Sequence, residues 1–370
     1  MRRLKVLQLL PALESGGVER STLEIAEALV RAGHDALVVS AGGRLVPRLE
    51  ASGARHFELD TGRKSPAALS RAIPLRALIR RERPDILHLR SRLPAWVAWL
   101  ALRGIAPQQR PRVVTTVHGL NSPSRYSRVM TRGERVICVS GTVRDYVLRH
   151  YPDTDPARLR VIPRGIDPGA FPRAGGLDRA ARARASQQHP ALAGEGPLLL
   201  LPGRGTRLKG HADALELLAA LRAGGPDARL WLPGSRQAGR EAYLAELEDR
   251  AAALGLSDVV AFSEATDAIA RAYAASDLVL QLSRKPEAFG RTVLEALSVG
   301  RPVLGWDHGG TGELLRELQP AGAVAAFDAP ALAATARELI DRPPVPPATI
   351  PYTLEAMQSA TLAVYAELAH

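Results

Sequence analysis

Twice along this 370-residue chain, short apolar runs alternate with amphipathic stretches of helical period, and no other feature limits the fold as strongly. Residues 6–10, 36–40, 85–89, 113–117 and 136–139 read as buried strands, with 161–163 as a further one and 19–32 as the first helix. The second series places strands at 198–201, 230–232, 259–262, 278–282 and 302–305. Helices fall at 211–223 and 241–254, and a closing amphipathic helix at 354–369. Strands this short, joined by helices instead of tight turns, pair in parallel and need cover on both faces. The chain is too long for one core. The expected fold class is therefore α/β: two doubly wound domains of similar size, facing across a cleft at the carboxyl ends of their strands. Residues 168–193, rich in Pro, Gly, Arg and Ala, form the expected connection.

Net charge is +11, but it is unevenly placed. Residues 1–170 hold 29 Lys and Arg against 15 Asp and Glu, a surplus of 14, and the remainder is slightly acidic. Confinement to one half suggests that this half faces something anionic, with nucleic acid and a membrane surface as the candidates. Aromatic content is only 4%, and no finger, basic-zipper or RNA-binding signature is present, which disfavours a stacking nucleic-acid platform. Residues 71–103 interleave Arg71, Arg76, Arg80, Arg81, Arg83, Arg90, Arg92 and Arg103 with Ile73, Leu75, Leu78, Ile79, Trp96 and Trp99. That pattern suits an anionic bilayer interface, or alternatively a surface helix burying its apolar stripe. The single cysteine, Cys138, sits in an apolar run, which leaves no intrachain disulfide and fits a reducing compartment. The basic start is followed by an apolar run that stops at Pro11, too short for a secretory signal, and no run approaches a membrane span. The expectation is a protein neither exported nor membrane-spanning by its own sequence.

Several motifs lie where a strand gives way to a helix. Gly16-Gly17 follows the first strand; such a loop lets backbone approach an anionic ligand, or is a plain turn. In Gly203-Arg204-Gly205-Thr206-Arg207-Leu208-Lys209-Gly210, Arg204 and Lys209 are two fixed cations on a glycine-rich loop, which suits a pyrophosphate or is a solvated basic loop. His118 ends a strand before Gly119, placed either to bond substrate or as a satisfied structural histidine; for His88 the structural reading is the stronger. Glu287 and Glu295 are eight residues apart, with Ala288-Phe289-Gly290 after the first and an apolar helix around the second. The spacing alone means little, since Glu19/Glu27 and Glu50/Glu58 share it. Asp307-His308-Gly309-Gly310 does not match a metal-ligand set, and its glycines favour a backbone-lined ligand turn.

In this order the motifs resemble the GT-B glycosyltransferases of family 4, retaining nucleotide-sugar enzymes, and the likeness runs the length of the chain. The resemblance implies a GT-B fold, with residues 1–168 as the acceptor-binding domain, 169–350 as the nucleotide-sugar domain, and 351–370 as a helix crossing back to the first. It implies that Arg204 and Lys209 bind the donor diphosphate, with Gly16 and Gly17 near the phosphates and acceptor. Glu287, Ala288, Phe289 and Gly290 would hold the donor sugar, Glu295 the ribose, and His118 the transferred sugar near its reacting face. Glu287 and His118 are the catalytic candidates, no metal or other cofactor is expected, and a UDP-sugar is the favoured co-substrate. One departure is Arg164, where the family usually has Asn. The expected activity is transfer of a hexose, without a metal and with retention, to an anionic glycan or glycolipid. Lipopolysaccharide core is the favoured acceptor, in a bacterial enzyme peripheral on the cytoplasmic face of the inner membrane. A soluble transferase acting on a small sugar or sugar phosphate is the alternative. A charge-driven nucleic-acid binder leaves the donor motifs unexplained, and a phosphorylase needs a pyridoxal-bearing lysine for which no context is found.

Overall fold

Segments such as Ile86–Leu89 and Leu278–Gln281 are buried at every position, which a strand achieves only with neighbours on both edges and helices on both faces. The computed structural model describes residues 2–14, 16–62 and 66–369. It contains two such sheets, in units comprising Met1–Arg164 with Leu354–His370, and Gly165–Thr353.

The first unit runs β1 (Lys5–Leu9), α1 (Gly17–Arg31), β2 (Asp35–Ser40), α2 (Val46–Ala51), β3 (Arg55–Glu58), α3 (Ala72–Glu82), β4 (Ile86–Leu89), α4 (Arg92–Arg103), β5 (Arg112–Val117), β6 (Arg135–Cys138), α5 (Gly141–His150) and β7 (Leu159–Val161). Its sheet is parallel in the order β3-β2-β1-β4-β5-β6-β7, with Leu7 opposite Leu37 on one side and Leu87 on the other. The second unit runs α6 (Arg179–Gln188), β8 (Leu198–Leu200), α7 (His211–Arg222), β9 (Arg229–Pro233), α8 (Glu241–Ala253), β10 (Val260–Ser263), α9 (Ile269–Ala275), β11 (Leu278–Gln281), α10 (Arg291–Val299), β12 (Val303–Trp306), α11 (Gly309–Leu318), β13 (Ala323–Val324) and α12 (Ala329–Asp341). Its parallel order is β10-β9-β8-β11-β12-β13. In each sheet the chain builds outward from its first strand on one side, then crosses to the other. The crossing leaves a crevice at the carboxyl ends of β1 and β4 in one unit, and of β8 and β11 in the other.

The last helix, α13 (Leu354–Leu368), belongs to the first unit. Met357, Val364 and Tyr365 join its core, and the Gln358 Nε2 donates to the Glu24 carbonyl at 2.7 Å. The fully buried Tyr365 hydroxyl bonds His88 Nδ1 at 2.6 Å. Burial of each such side chain contributes about 1.5–3 kcal/mol.

The basic stretch 71–103 resolves into packing. Leu75, Leu78 and Ile79 of α3 are buried, whereas Ile73 is 68% exposed. Arg76 donates to the carbonyls of Ala101 and Leu100, and Arg80 to that of Gly104, so both guanidiniums satisfy open carbonyls at the end of α4. Arg81 bonds Glu82, and Trp96 Nε1 donates to the Tyr126 carbonyl. Arg83 closes α3 in the left-handed region (φ 47°, ψ 58°), where a Cβ costs roughly 1–2 kcal/mol. Among the described residues no helix is long and apolar enough to cross a membrane.

Candidate active site

In the second unit, the loop after β8 and the loop after β11 meet at the switch point. Gly210 lets them close on one another, and Gly205 and Gly234 let the loop after β9 pack against the first of them. Gly210 (φ 77°) lies where a Cβ would meet the Leu282 carbonyl at 2.1 Å, and a Cβ on Gly205 would meet the Ser235 carbonyl at 2.2 Å. Gly234 (φ 87°) approaches the Gly203 carbonyl in the same way. This packing turns Lys209 toward β11, where its Nζ donates to Glu287 Oε1 at 2.6 Å. The same oxygen accepts from Ser283 Oγ at 2.5 Å, and Oε2 accepts from Gln281 Nε2 at 3.1 Å. Burial pushes the Glu287 carboxyl up, but the Lys209 ammonium, the Ser283 hydroxyl and nearby His308 outweigh it and hold the group below its ordinary value. Glu287 is therefore an ionised, three-fold hydrogen-bonded carboxylate at neutral pH, poor as a general acid and well fixed as an acceptor for ligand hydroxyls. Arg204 is exposed, and its guanidinium makes no hydrogen bond or ion pair among the described residues.

Gly309 and Gly310 make room for this loop. A Cβ on Gly309 would meet the Glu287 carbonyl at 2.6 Å, and one on Gly310 the Phe289 Cα at 2.5 Å. With no side chains there, α11 packs against the Glu287–Phe289 backbone, and Gly310 N donates to the Glu287 carbonyl at 2.7 Å. His308 Nε2 bonds the Ser283 carbonyl at 2.8 Å, so this nitrogen carries the proton. Asp307 is paired with Arg316, and among the described residues no group of three His, Cys, Asp or Glu could hold a metal ion.

Gly290 adopts φ 99° at the start of α10, and Phe289 is buried edge-on to Tyr352, with centroids 6.1 Å apart. Ala288, between Glu287 and Phe289, is half-buried. Glu295 lies on the buried face of α10, 8% exposed, and accepts from the Tyr273 hydroxyl at 2.9 Å. The structure thus brings Lys209 to Glu287, while Glu295 is held separately against α9.

In the first unit, Gly16 precedes α1 with ordinary backbone (φ −86°), and a Cβ on Gly17 would meet nothing within 4 Å. Neither glycine is demanded by backbone conformation, and the space at Gly17 is open. His118, just past β5, accepts at Nδ1 from the Arg164 guanidinium; that bond leaves the proton on Nε2, which is buried with no partner among the described residues. Burial, with Arg164, Arg90 and His88 adding to it, holds the His118 imidazole well below its ordinary pKa. It is a neutral N–H donor, not a base. His88 is the structural histidine: 1% exposed, bonded at Nδ1 to Tyr365 and at Nε2 to Thr116 Oγ1, each at 2.6 Å.

Gln281, Ser283 and Tyr273 are site neighbours that the motifs do not single out. A signal existed for Gln281: a glutamine closing the otherwise apolar strand Leu278–Gln281 at its carboxyl end, beside the switch point.

The domain family described as Glycosyltransferase Family 4 matches residues 15–170, and that described as Glycosyl transferases group 1 matches residues 183–355. Among curated relatives, a D-inositol 3-phosphate glycosyltransferase of Jonesia denitrificans is 29% identical over 248 residues, 61% of this chain and 56% of that protein. The chain spans about half the length of such relatives, 56% and 43% for two of the same name. Among solved structures, a glycosyltransferase from Rickettsia africae superposes with a TM-score of 0.83 at 26% identity, over 100% of this chain and 99% of that one. Anabaena HepE in complex with UDP and glucose follows with 0.76 at 21% identity, over 99% and 95%. With glycosyltransferase domains matched across both units and two parallel Rossmann-like sheets shared with glycosyltransferase structures, the chain belongs to the GT-B glycosyltransferases that pair a family 4 domain with a group 1 domain.

Proposed function

We propose that the chain transfers a hexose from a nucleoside-diphosphate sugar, most simply a UDP-sugar, to an anionic glycan or glycolipid acceptor, with retention of configuration. One observation carries this reading: at the switch point of the second unit, Lys209 holds an ionised Glu287 while the neighbouring Arg204 is exposed with no partner among the described residues. A diphosphate needs two or three cationic donors, and a hexose needs a fixed acceptor for its hydroxyls. HepE, which shares the fold, was solved with UDP and glucose.

In this mechanism Arg204 and Lys209 take the charge that builds on the leaving diphosphate. Glu287 positions the sugar, and Glu295 with Tyr273 offers a rigid carboxylate to the ribose. The neutral His118 donates its Nε2–H to the transferred sugar. Departure and attack occur on one face of the sugar, and the leaving diphosphate removes the acceptor proton. A trapped covalent glycosyl-Glu287 adduct would overturn that route.

The surplus of 14 positive charges in residues 1–170 supports an anionic acceptor. We favour lipopolysaccharide core at the inner-membrane surface. The name of the D-inositol 3-phosphate relative favours a second reading, a small phosphorylated sugar alcohol or sugar phosphate. Thermal-shift screening against UDP-, GDP- and ADP-sugars, then transfer assays with both acceptor classes, tests the proposal. The double variant Arg204→Ala/Lys209→Ala should lose donor binding with its circular dichroism unchanged; retained donor binding would refute the diphosphate assignment.

A further inference from the structure

A cavity of about 730 Å³ opens in the first unit beside Arg2, Asp85 and Arg112, at the amino ends of β1, β4 and β5. His118 and Gly17 lie past the carboxyl ends, and the six residues of β5 alone span roughly 20 Å. The cavity is therefore not part of the site described above. Five arginines line it, Arg2, Arg80, Arg83, Arg110 and Arg112, against one carboxylate, Asp85. Its volume suits a small ligand.

The charges are only partly used. Arg2 pairs with Asp85 at 2.5 Å, and Arg112 bonds Glu134 at 3.0 Å. Arg80 donates one Nη2 bond to the Gly104 carbonyl, and among the described residues Arg110 commits only its Nε, to the Ile105 carbonyl at 2.8 Å. The Arg83 side chain makes no hydrogen bond or ion pair among the described residues. Arg83 is also one of two non-glycine residues, with Phe327, held at positive φ among the described residues, where glycine would be free of strain. A side chain retained at that conformational cost, unpaired in a cationic cavity, points to a ligand for the side chain itself.

We infer that this cavity is a second anion site, binding a phosphate-bearing ligand through the guanidinium forks of Arg83 and Arg110. The geometry suits phosphate oxygens, which accept paired N–H bonds. The phosphate belongs either to a small soluble molecule or to a lipid headgroup.

The test uses the full chain carrying Lys209→Ala, which removes the proposed diphosphate contact of the other unit. It is titrated calorimetrically with inorganic pyrophosphate at constant ionic strength. In parallel it is pelleted with phosphatidylglycerol vesicles or with phosphatidylcholine vesicles alone. Adding Arg83→Gly and Arg110→Ala should weaken pyrophosphate binding at least tenfold. If the source is lipid, the same pair abolishes pelleting with phosphatidylglycerol. Arg83→Gly alone should keep Tm at or above the parent, because it relieves the strained backbone, so lost binding is not lost folding. Binding unchanged by both substitutions, or absent from both arms, would overturn the inference. UDP affinity that survives Lys209→Ala would count against the donor-loop assignment instead, and leaves the Arg83 dependence readable.

Discussion

Lys209 and Glu287 neutralise one another across 2.6 Å, with 27% and 24% of their side chains exposed. If Lys209 also binds the donor diphosphate, the carboxylate and the diphosphate compete for one ammonium. Glu287→Gln removes the competitor while keeping the shape. A charged hydrogen bond contributes roughly 1.5–3 kcal/mol when buried, and an exposed ion pair about 0–1. A quarter-exposed pair lies between, and Gln retains a neutral acceptor, so the freed affinity is about 1 kcal/mol. UDP should therefore bind Glu287→Gln about fivefold more tightly than the parent, although sugar transfer collapses. Lys209→Met should weaken UDP about 10–100-fold, the loss of one or two charge-assisted bonds. In the double variant the gain from Glu287→Gln should disappear, because the ammonium it released is gone. Isothermal titration of UDP into the four proteins reads this cycle directly. Weaker UDP binding by Glu287→Gln, or a gain that persists without Lys209, would refute the competition and with it the placement of the diphosphate on Lys209.

Arg164→Gln should let the His118 pKa rise toward its ordinary value and allow its proton onto Nδ1; imidazole nitrogen shifts read both, and an unchanged tautomer and titration would contradict the fixing role. His211 is fully buried, and burial pushes its imidazole down to about 4. The unfolded chain binds that proton near 6.5 and the folded chain does not. The stabilisation is thus complete above pH 6.5 and lost as pH falls toward 4, at about 1.4 kcal/mol per pH unit and about 3 kcal/mol in all. Denaturant melts should show this slope and His211→Leu should flatten it; a parent stability flat from pH 6.5 to 4 would be the contrary result. Gly310→Ala forces a methyl to 2.5 Å from the Phe289 Cα, so it should cost roughly 1–3 kcal/mol and displace Glu287, lowering kcat more than it raises the KM for donor. Donor KM and kcat equal to the parent's would contradict it.

Most of the architecture was legible because buried parallel strands announce themselves as apolar runs. Leu278–Gln281 and Val303–Trp306 lie within a residue or two of where hydropathy placed them. Two strands escaped for physical reasons. Arg55–Glu58 is the edge of its sheet, half-buried to exposed throughout, so its sequence lacks an apolar run. Ala323–Val324 is only two residues long and also an edge. The site was legible as separate motifs but not as contacts. Lys209 and Glu287 are 78 residues apart, and His118 and Arg164 are 46 apart. What joins the first pair is the closeness that Gly210 and Gly310 allow, and a sequence shows a glycine without showing what it approaches. The arginines of 71–103 left two readings open, since a guanidinium that caps α4 and one that faces solvent look alike in a string of letters.

The two crevices place charge by opposite rules. In the second unit, Glu287 is matched by an ammonium, and the surplus cation, Arg204, stays in solvent where it costs little until a ligand arrives. In the first unit, Arg90 just past β4 is 2% exposed, bonded to neutral Gln8 and Ser21, with its Nε unpartnered among the described residues. Burial lowers its pKa to about 10, with Glu24 and Tyr365 opposing the shift, so it remains charged at neutral pH. Arg164 bears on the same neighbourhood, and the field of both guanidiniums keeps His118 neutral. A buried cation held by neutral partners is expensive to keep for stability alone. It makes sense where the crevice must hold negative charge, and a neutral Nε2–H donor beside it adds to that preference without adding a titrating group. The proposed anionic acceptor would thereby be met by the first unit's interior and not merely by its surface arginines, several of which are spent on packing.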